Sequence, residues 1–198
     1  MDISADRIEA LKEVGNIGAG NAATSLSELM QIRIQMTVPK VWFVSLHELD
    51  KAIGDIEEPK AALYLKVKGD APGKAMFVLS EHSAGLICNT LLGQSEIPNL
   101  FQDQMAQSVL KEVGNIMVSS FVTALASFSG TVLQISTPAF ALDMIGALID
   151  AVLLEGGVVG DKVLIIDTKF SGMGELEGKF LFIPDEGALD KLLGVFGV

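Results

Sequence analysis

The same hexapeptide, Lys-Glu-Val-Gly-Asn-Ile, occurs twice in this chain of 198 residues, and the two copies are 99 residues apart. The first copy is Lys12–Ile17 and the second is Lys111–Ile116. At the same offset Pro39 matches Pro138, so the similarity extends beyond the hexapeptide. We interpret this as an internal duplication. Each copy has kept a Glu and, three residues later, an Asn.

The composition indicates a folded globular protein, because 49% of the residues are apolar and can form a substantial core. The formal net charge of -11 argues against a nucleic-acid partner, since binding to phosphates needs clustered Lys and Arg. The single cysteine, Cys88, excludes an internal disulfide and suits a reducing compartment. Composition therefore leaves enzymes and protein-binding domains as the open classes.

The chain shows no predicted membrane segment. Its longest apolar stretch, residues 144–154, is interrupted by Asp150 and is shorter than the roughly 20 residues that span a bilayer. The N-terminus is acidic and lacks the apolar run of a signal peptide. We therefore expect a cytoplasmic protein without membrane insertion.

Hydrophobic periodicity predicts the same order of elements in each half of the chain. Each half should form a long helix, a strand, a variable segment, a hairpin and a closing helix. In the first half these are residues 4–30, 33–38, 41–53, 61–79 and 81–92; in the second they are 102–128, 131–136, 140–154, 158–183 and 186–196. Residues 140–154 are expected to be mainly helical.

We therefore expect an α+β fold with pseudo-twofold symmetry, in which the long helices pack on a largely antiparallel sheet. The domain prediction is one unit, residues 1–198, made of homologous halves at about 1–97 and 98–198. The link between the halves is predicted at residues 94–99, which contain Pro98.

The repeated Glu and Asn are predicted to point away from the apolar side of each long helix. They are Glu13 and Asn16 in the first copy, and Glu112 and Asn115 in the second. One interpretation is an ordinary polar helix surface. However, Gly before a mid-helix Asn is locally unfavourable, by about 1 kcal/mol for the Gly alone, and it occurs twice. Packing offers no evident reason in the sequence.

A functional interpretation explains the repetition better. Side chains three residues apart on a helix project together and can reach one external target. The small neighbours Gly15, Gly20, Gly114 and Ser119 would let another molecule come close. A carboxylate can pair with a cation, and a carboxamide both donates and accepts, so it can orient a water molecule. The pair is suited to directing water against an electrophile that a partner supplies.

The wider motif resembles a known family. The pattern Ser-x3-Glu-x2-Asn-x22-Pro, which the second copy shows at Ser108, Glu112, Asn115 and Pro138, resembles the signature of the CheC, CheX and FliY phosphatases of bacterial chemotaxis. The first copy has Glu9 where that family prefers Asp or Ser. Two motif copies in a chain of this length look most like the CheC type, and the resemblance spans essentially the whole chain.

The resemblance implies an enzyme that hydrolyses the aspartyl phosphate of the response regulator phospho-CheY. Asn16 and Asn115 would position the attacking water, and Glu13 and Glu112 would engage a lysine of the regulator. Ser108 and Glu9 would belong to the partner contact. The chain would need no cofactor of its own, because the Mg²⁺ would sit in the regulator. A monomer could bind two regulators.

The resemblance also implies a second partner, the receptor-modifying deamidase CheD. We expect Ile145, Gly146 and Asp150 to contact it, because residues 140–154 are apolar and have no close match in the first half. The alternative for this stretch is a buried core helix. For the whole chain, the alternative function is a non-catalytic CheD-binding adaptor or an interaction domain of the flagellar-switch type.

The remaining motifs are weaker. Residues 18–23 satisfy the dinucleotide pattern GxGxxA but follow a helical stretch rather than a strand, which argues against nucleotide binding. His47 and His82 are isolated, so neither a zinc site nor a Ser-His nucleophile is supported. Cys88, Trp42 and Phe43 are expected to be core residues.

Overall fold

The structure, a computed structural model, describes residues 3–54, 57–94, 98–154 and 160–194. It contains α-helices and β-strands, with one short 3-10 helix at Leu46–Glu48. The α-helices are α1 (Ala5–Met30), α2 (Leu49–Ile53), α3 (Glu81–Leu92), α4 (Gln104–Ser129), α5 (Ile145–Leu154) and α6 (Ala188–Leu193). The strands are β1 (Gln35–Thr37), β2 (Val41–Ser45), β3 (Pro59–Gly69), β4 (Gly73–Ser80), β5 (Leu133–Ile135), β6 (Ala139–Met144), β7 (Lys162–Ser171) and β8 (Leu176–Pro184).

These strands form one antiparallel sheet to which both halves of the chain contribute. The order along the sheet is β1-β7-β8-β4-β3-β5, with β2 also paired to β7 and β6 also paired to β3. The two hairpins, β3-β4 and β7-β8, meet at the centre, where β4 pairs with β8. Each hairpin also pairs with the short strands of the other half. The predicted α+β fold with a largely antiparallel sheet is confirmed.

Helices cover both faces of the sheet. On one face, α1 and α4 pack with α3 and α6 over a large apolar cluster that includes Phe77, Phe121 and Phe180. On the other face, α2 and α5 pack over a smaller cluster that includes Met76 and Ile165. Side chains alternate between the two clusters along β4, β7 and β8, because successive residues of a strand point to opposite faces. The faces of the sheet thus separate the long helices from α5.

Glycines at the ends of the central hairpins allow each hairpin to contact the loop that follows a long helix. Gly69 has φ +115° and Gly172 has φ +118°, a region that favours glycine. A Cβ at Gly69 would overlap the carbonyl oxygen of Val132, and a Cβ at Gly172 would overlap that of Arg33. Val132 and Arg33 are themselves 99 residues apart. The two halves therefore make corresponding contacts.

One secondary-structure prediction is wrong. Residues 140–144 belong to strand β6, and the helix begins only at Ile145. This segment pairs with β3 from Pro59↔Met144 to Tyr64↔Ala139, so the backbone groups of β3 decide its conformation. Residues 95–97 of the predicted 94–99 link, residues 158–159 of the predicted 158–183 hairpin and residues 195–196 of the predicted 186–196 helix lie outside the described residues.

Of the three residues predicted to lie in the core, only Cys88 is buried. Cys88 is fully buried, and burial, with a smaller contribution from the charge of Asp103, raises the pKa of its thiol to about 12. Trp42 and Phe43 are half-buried rather than buried, and the ammonium of Lys40 lies 3.3 Å from the centre of the Trp42 ring. Cys88 is therefore held as an unreactive thiol.

Only α4, among the described residues, is long and apolar enough to cross a membrane by length and composition. Its apolar side chains include Leu110, Val113 and Phe121, each buried within the protein. The same composition is expected of a helix that lies in a protein core.

The two long helices approach each other closely at Gly18. A Cβ at this position would lie 2.9 Å from Cδ1 and 3.1 Å from Cα of Phe121. By contrast, a Cβ at Gly20 on the same helix would have no atom within 4 Å. The glycine at position 18 is thus needed for packing, whereas the glycine at position 20 is not.

Substituting Gly18→Ala should therefore lower the free energy of unfolding by about 1–3 kcal/mol, because α4 must shift to accommodate the methyl group. The matched variant Gly20→Ala should raise it by about 0.5–1 kcal/mol through helix propensity. Urea unfolding followed by circular dichroism measures both. Equal effects of the two variants would contradict the close packing at Gly18.

Candidate functional site

The repeated polar motif lies on the outer side of each long helix, as predicted. On α1, Glu9, Glu13 and Asn16 are exposed. On α4, Ser108 and Glu112 are exposed, and the structure places Asn115 half-buried on the same side. The apolar residues of the hexapeptide, Val14 and Val113 among them, point into the core. Each copy thus presents one Glu and one Asn from a rigid helix.

The glycines of the hexapeptide have a packing role that the sequence analysis missed. A Cβ at Gly15 would lie 3.3 Å from Cγ1 of Val38 and 3.4 Å from Cγ2 of Ile166. A Cβ at Gly114 would lie 2.6 Å from Cβ of Leu63, deep inside the sheet. The expectation that Gly15 and Gly114 leave room for another molecule is wrong. They leave room for the sheet beneath each helix.

The carboxamide of Asn16 is held at both ends by backbone groups. Its Nδ2 donates to the carbonyl oxygen of Lys12 at 3.1 Å, and its Oδ1 accepts from the backbone N–H of Val38 at 3.2 Å. Val38 directly precedes Pro39, the last residue of the motif in this copy. Asn16 therefore ties α1 to the loop between β1 and β2.

The second copy does not repeat this arrangement. Within the described part of the chain, the carboxamide of Asn115 has no hydrogen-bond partner, although its backbone oxygen accepts from Ser119 Oγ at 2.6 Å. Its amide nitrogen and oxygen are not buried, so a water molecule or a group from a partner protein can bind them. Asn115 is thus the freer of the two amides.

Serines beside the second site turn back onto their own helix. The hydroxyl of Ser108 donates to the carbonyl oxygen of Gln104 at 2.8 Å. Such bonds keep the side chain close to the helix axis and leave Glu112 and Asn115 as the projecting groups.

The start of α4 is fixed by Asp103, whose Oδ1 accepts from the N–H groups of Met105 and Ala106 at 2.9 and 3.1 Å.

The residues predicted for the second partner are only partly accessible. Ile145 is fully buried in the smaller core cluster, so its assignment to a partner contact is wrong. Gly146 is half-buried and Asp150 is exposed. The outer side of α5 also carries three residues that the sequence analysis did not single out: Ala147 and Ala151, which are exposed, and Leu154, which is 85% exposed.

A polar cavity of about 430 Å³ lies elsewhere, beside the β7-β8 hairpin. Its charged side chains form ion pairs, Lys179 with Asp167 at 2.7 Å and Lys169 with Glu177 at 2.9 Å. The hydrogen bond with Lys169 lowers the pKa of Glu177, and the same bond raises the pKa of Lys169. Lys60 and Glu175 also line the cavity, so these two ion pairs involve only part of its charged groups. Among the described residues, no group of three His, Cys, Asp or Glu side chains could hold a metal ion.

A sequence profile of the CheC-like family matches residues 9–42 and 105–142, the two segments that contain the long helices and the motif. The chain is also 34% identical to the CheY-P phosphatase CheC of Bacillus subtilis (strain 168). The alignment has 200 positions and covers 98% of this chain and 96% of the relative. The chain belongs to the CheC-like family. The resemblance noted from the motif is therefore confirmed.

Solved structures agree with this CheC-like fold. FliY of Thermotoga maritima matches with a TM-score of 0.76 at 22% identity, covering 99% of this chain and 98% of that one. A CheX-CheY-BeF3-Mg²⁺ complex from Borrelia burgdorferi matches with a TM-score of 0.51 at 18% identity, covering 85% of this chain and 96% of that one. At these identities the likeness concerns the fold alone.

The contact of Asn16 with Val38 generates a stability prediction for this CheC-like chain. Substituting Asn16→Ala should lower the free energy of unfolding by about 1 kcal/mol, because the Val38 N–H loses its partner. The matched change Asn115→Ala should leave stability equal or slightly higher, since Ala is the better helix former. Urea unfolding of both variants provides the comparison, and an equal loss in both would show that the Asn16 contact contributes nothing.

Proposed function

We propose that this chain is a protein phosphatase that hydrolyses the aspartyl phosphate of phospho-CheY. The observation that carries the proposal is the projection of a Glu and an Asn from the same side of a helix, twice, in a chain related over its whole length to a CheY-P phosphatase. The complex of CheX with CheY, BeF3 and Mg²⁺ supports CheY as the partner, because in that complex a protein of this fold binds CheY.

The proposed mechanism relies on positioning. Asn115 and Asn16 each supply a carboxamide that accepts from and donates to water, and can hold it in line with the phosphorus atom. The water oxygen forms a bond to phosphorus while the bond from phosphorus to the aspartate oxygen breaks. Inorganic phosphate leaves, and the regulator regains its free carboxylate. The Mg²⁺ needed to balance the charge would belong to the regulator.

In this proposal the glutamates act in docking. Glu112 and Glu13 lie one helical turn before the asparagines and are exposed, so each can pair with a lysine of the regulator. Ser108 and Glu9 lie one turn further back on the same sides and extend the contact. The pair of charges would set the depth and angle at which the Asn enters the partner's site.

Decay of phospho-CheY tests the phosphatase proposal. Wild-type protein should accelerate the decay, and the double variant Asn16→Ala/Asn115→Ala should lose about 10- to 100-fold of that acceleration, because the water is no longer oriented. Asn21→Ala is the matched control, since Asn21 is an exposed asparagine on α1 outside the motif. If wild-type protein does not accelerate the decay of phospho-CheY, the phosphatase proposal is wrong, and the non-catalytic adaptor or flagellar-switch interpretation is favoured.

A second proposal concerns CheD. The exposed side of α5 combines one carboxylate, Asp150, with the apolar Ala147, Ala151 and Leu154 at helical spacing, and Gly146 lies beside it. An exposed apolar stripe of this kind is typical of a protein contact. It lies on the opposite face of the sheet from α1 and α4, so CheD and the regulator could bind at the same time.

Substituting Asp150→Lys should weaken CheD binding by about tenfold or more, because a charge at the centre of a small contact is reversed. Phosphatase activity should stay unchanged, as the sheet separates the two surfaces. The control is Asp190→Lys, which makes the same charge change at an exposed position on α6. Calorimetry measures the CheD affinity of both variants. An unchanged affinity in the Asp150 variant would show that the exposed side of α5 does not bind CheD.

A further inference from the structure

The two copies of the motif differ in charge along the helix that presents them. In the first copy, Asp6, Glu9 and Glu13 are exposed on α1 at helical spacing. At the equivalent positions, 99 residues later, the second copy has Met105, Ser108 and Glu112. At these three positions the first copy therefore has two more carboxylates than the second, although the neighbouring residues are Ser4 and Arg7 in the first copy and Asp103 and Ala106 in the second. A phosphorylated aspartate is an anion, and like charges facing each other across an interface oppose binding.

The second copy also has an exposed apolar pair where the helix begins. Met105 is 64% exposed and Phe101, in the preceding turn, is 60% exposed. Local bonds fix the backbone at both residues, since Asp103 accepts from the Met105 N–H and Gln107 Nε2 donates to the Phe101 carbonyl oxygen at 3.2 Å. Large exposed apolar side chains that a partner can cover are suited to act as anchors of a protein contact.

A groove continues the second surface beyond the motif. It has a volume of about 450 Å³ and runs from Ser119, one turn after Asn115, along α4 to β5, and no charged residue lines it. In the first copy the corresponding gap is bridged, because Ser27 Oγ accepts from the Ile34 N–H at 2.9 Å. The equivalent residue in the second copy is Ala126, which has no hydroxyl group.

The two asparagines also differ in how many hydrogen bonds their carboxamides already make. The carboxamide of Asn16 is engaged by Lys12 and Val38, whereas that of Asn115 has no hydrogen-bond partner among the described residues. These two bonds occupy one amide hydrogen and one oxygen lone pair of Asn16, and they fix the orientation of its carboxamide. Asn115 keeps its full hydrogen-bonding capacity and can turn its carboxamide toward a water molecule.

We propose that the two copies have divided their roles, so that the chain has a single high-affinity surface for a phosphorylated receiver domain. That surface consists of Phe101, Met105, Ser108, Glu112 and Asn115. The first copy acts mainly through Asn16 as a tie between α1 and the β1-β2 loop. This inference rests on the proposed phosphatase function, because it assumes that a receiver domain is the partner.

Titration calorimetry with the CheY receiver domain, activated by BeF3 and Mg²⁺, tests this inference. Wild-type protein should bind about one receiver per chain, and Met105→Asp should weaken binding about tenfold, because an apolar anchor becomes a carboxylate. The matched control is Asp6→Met, which makes the reverse exchange in the first copy and should change affinity by less than about twofold. Met105→Leu should keep wild-type affinity, which separates lost apolar contact from misfolding.

Two receivers bound with equal affinity, or equal effects of the Met105 and Asp6 exchanges, would overturn the division of roles. Absence of any binding by wild-type protein would overturn it as well. The outcome for the phosphatase proposal is separate, since that proposal depends on the decay of phospho-CheY. A chain with two equal working sites would accelerate the decay and still refute the inference.

Discussion

The two halves of the chain are held together by the packing of α1 and α4 on one face of a shared sheet. The helices meet where Gly18 leaves room for Phe121, and each lies against the sheet at a glycine of the hexapeptide. A side chain at Gly114 would overlap Leu63, which is fully buried. Small residues at these points fix the depth of both helices, and so fix which of their residues reach solvent.

The hexapeptide therefore serves two purposes at once. Its valine and glycine face the core, and its glutamate and asparagine face outward. A rigid helix that is fixed from below can present a carboxylate and a carboxamide in a constant orientation, which positioning of a water molecule requires. Glycine that disfavours a helix locally is retained because the tertiary contact offsets its cost of about 1 kcal/mol.

The sequence predicted the long helices closely, at residues 4–30 and 102–128 against Ala5–Met30 and Gln104–Ser129 in the structure. Their apolar residues recur at helical spacing, which is a local signal. Residues 140–144 were predicted wrongly because an apolar run suits a helix or a strand, and pairing with β3 selects the strand. The burial of Ile145 was missed although a local signal existed, because Ile145, Leu148, Ile149 and Val152 recur at helical spacing and form the buried side of α5.

The family, the two long helices and the outward position of the Glu and Asn residues could be derived from the sequence, because a repeated motif and helical periodicity are both local. The difference between the two copies is visible only in the folded structure. Asn16 contacts the Val38 N–H, 22 residues away, while Asn115 has no such contact among the described residues. That difference depends on how each loop folds back onto its helix, and no pattern within the identical hexapeptides records it.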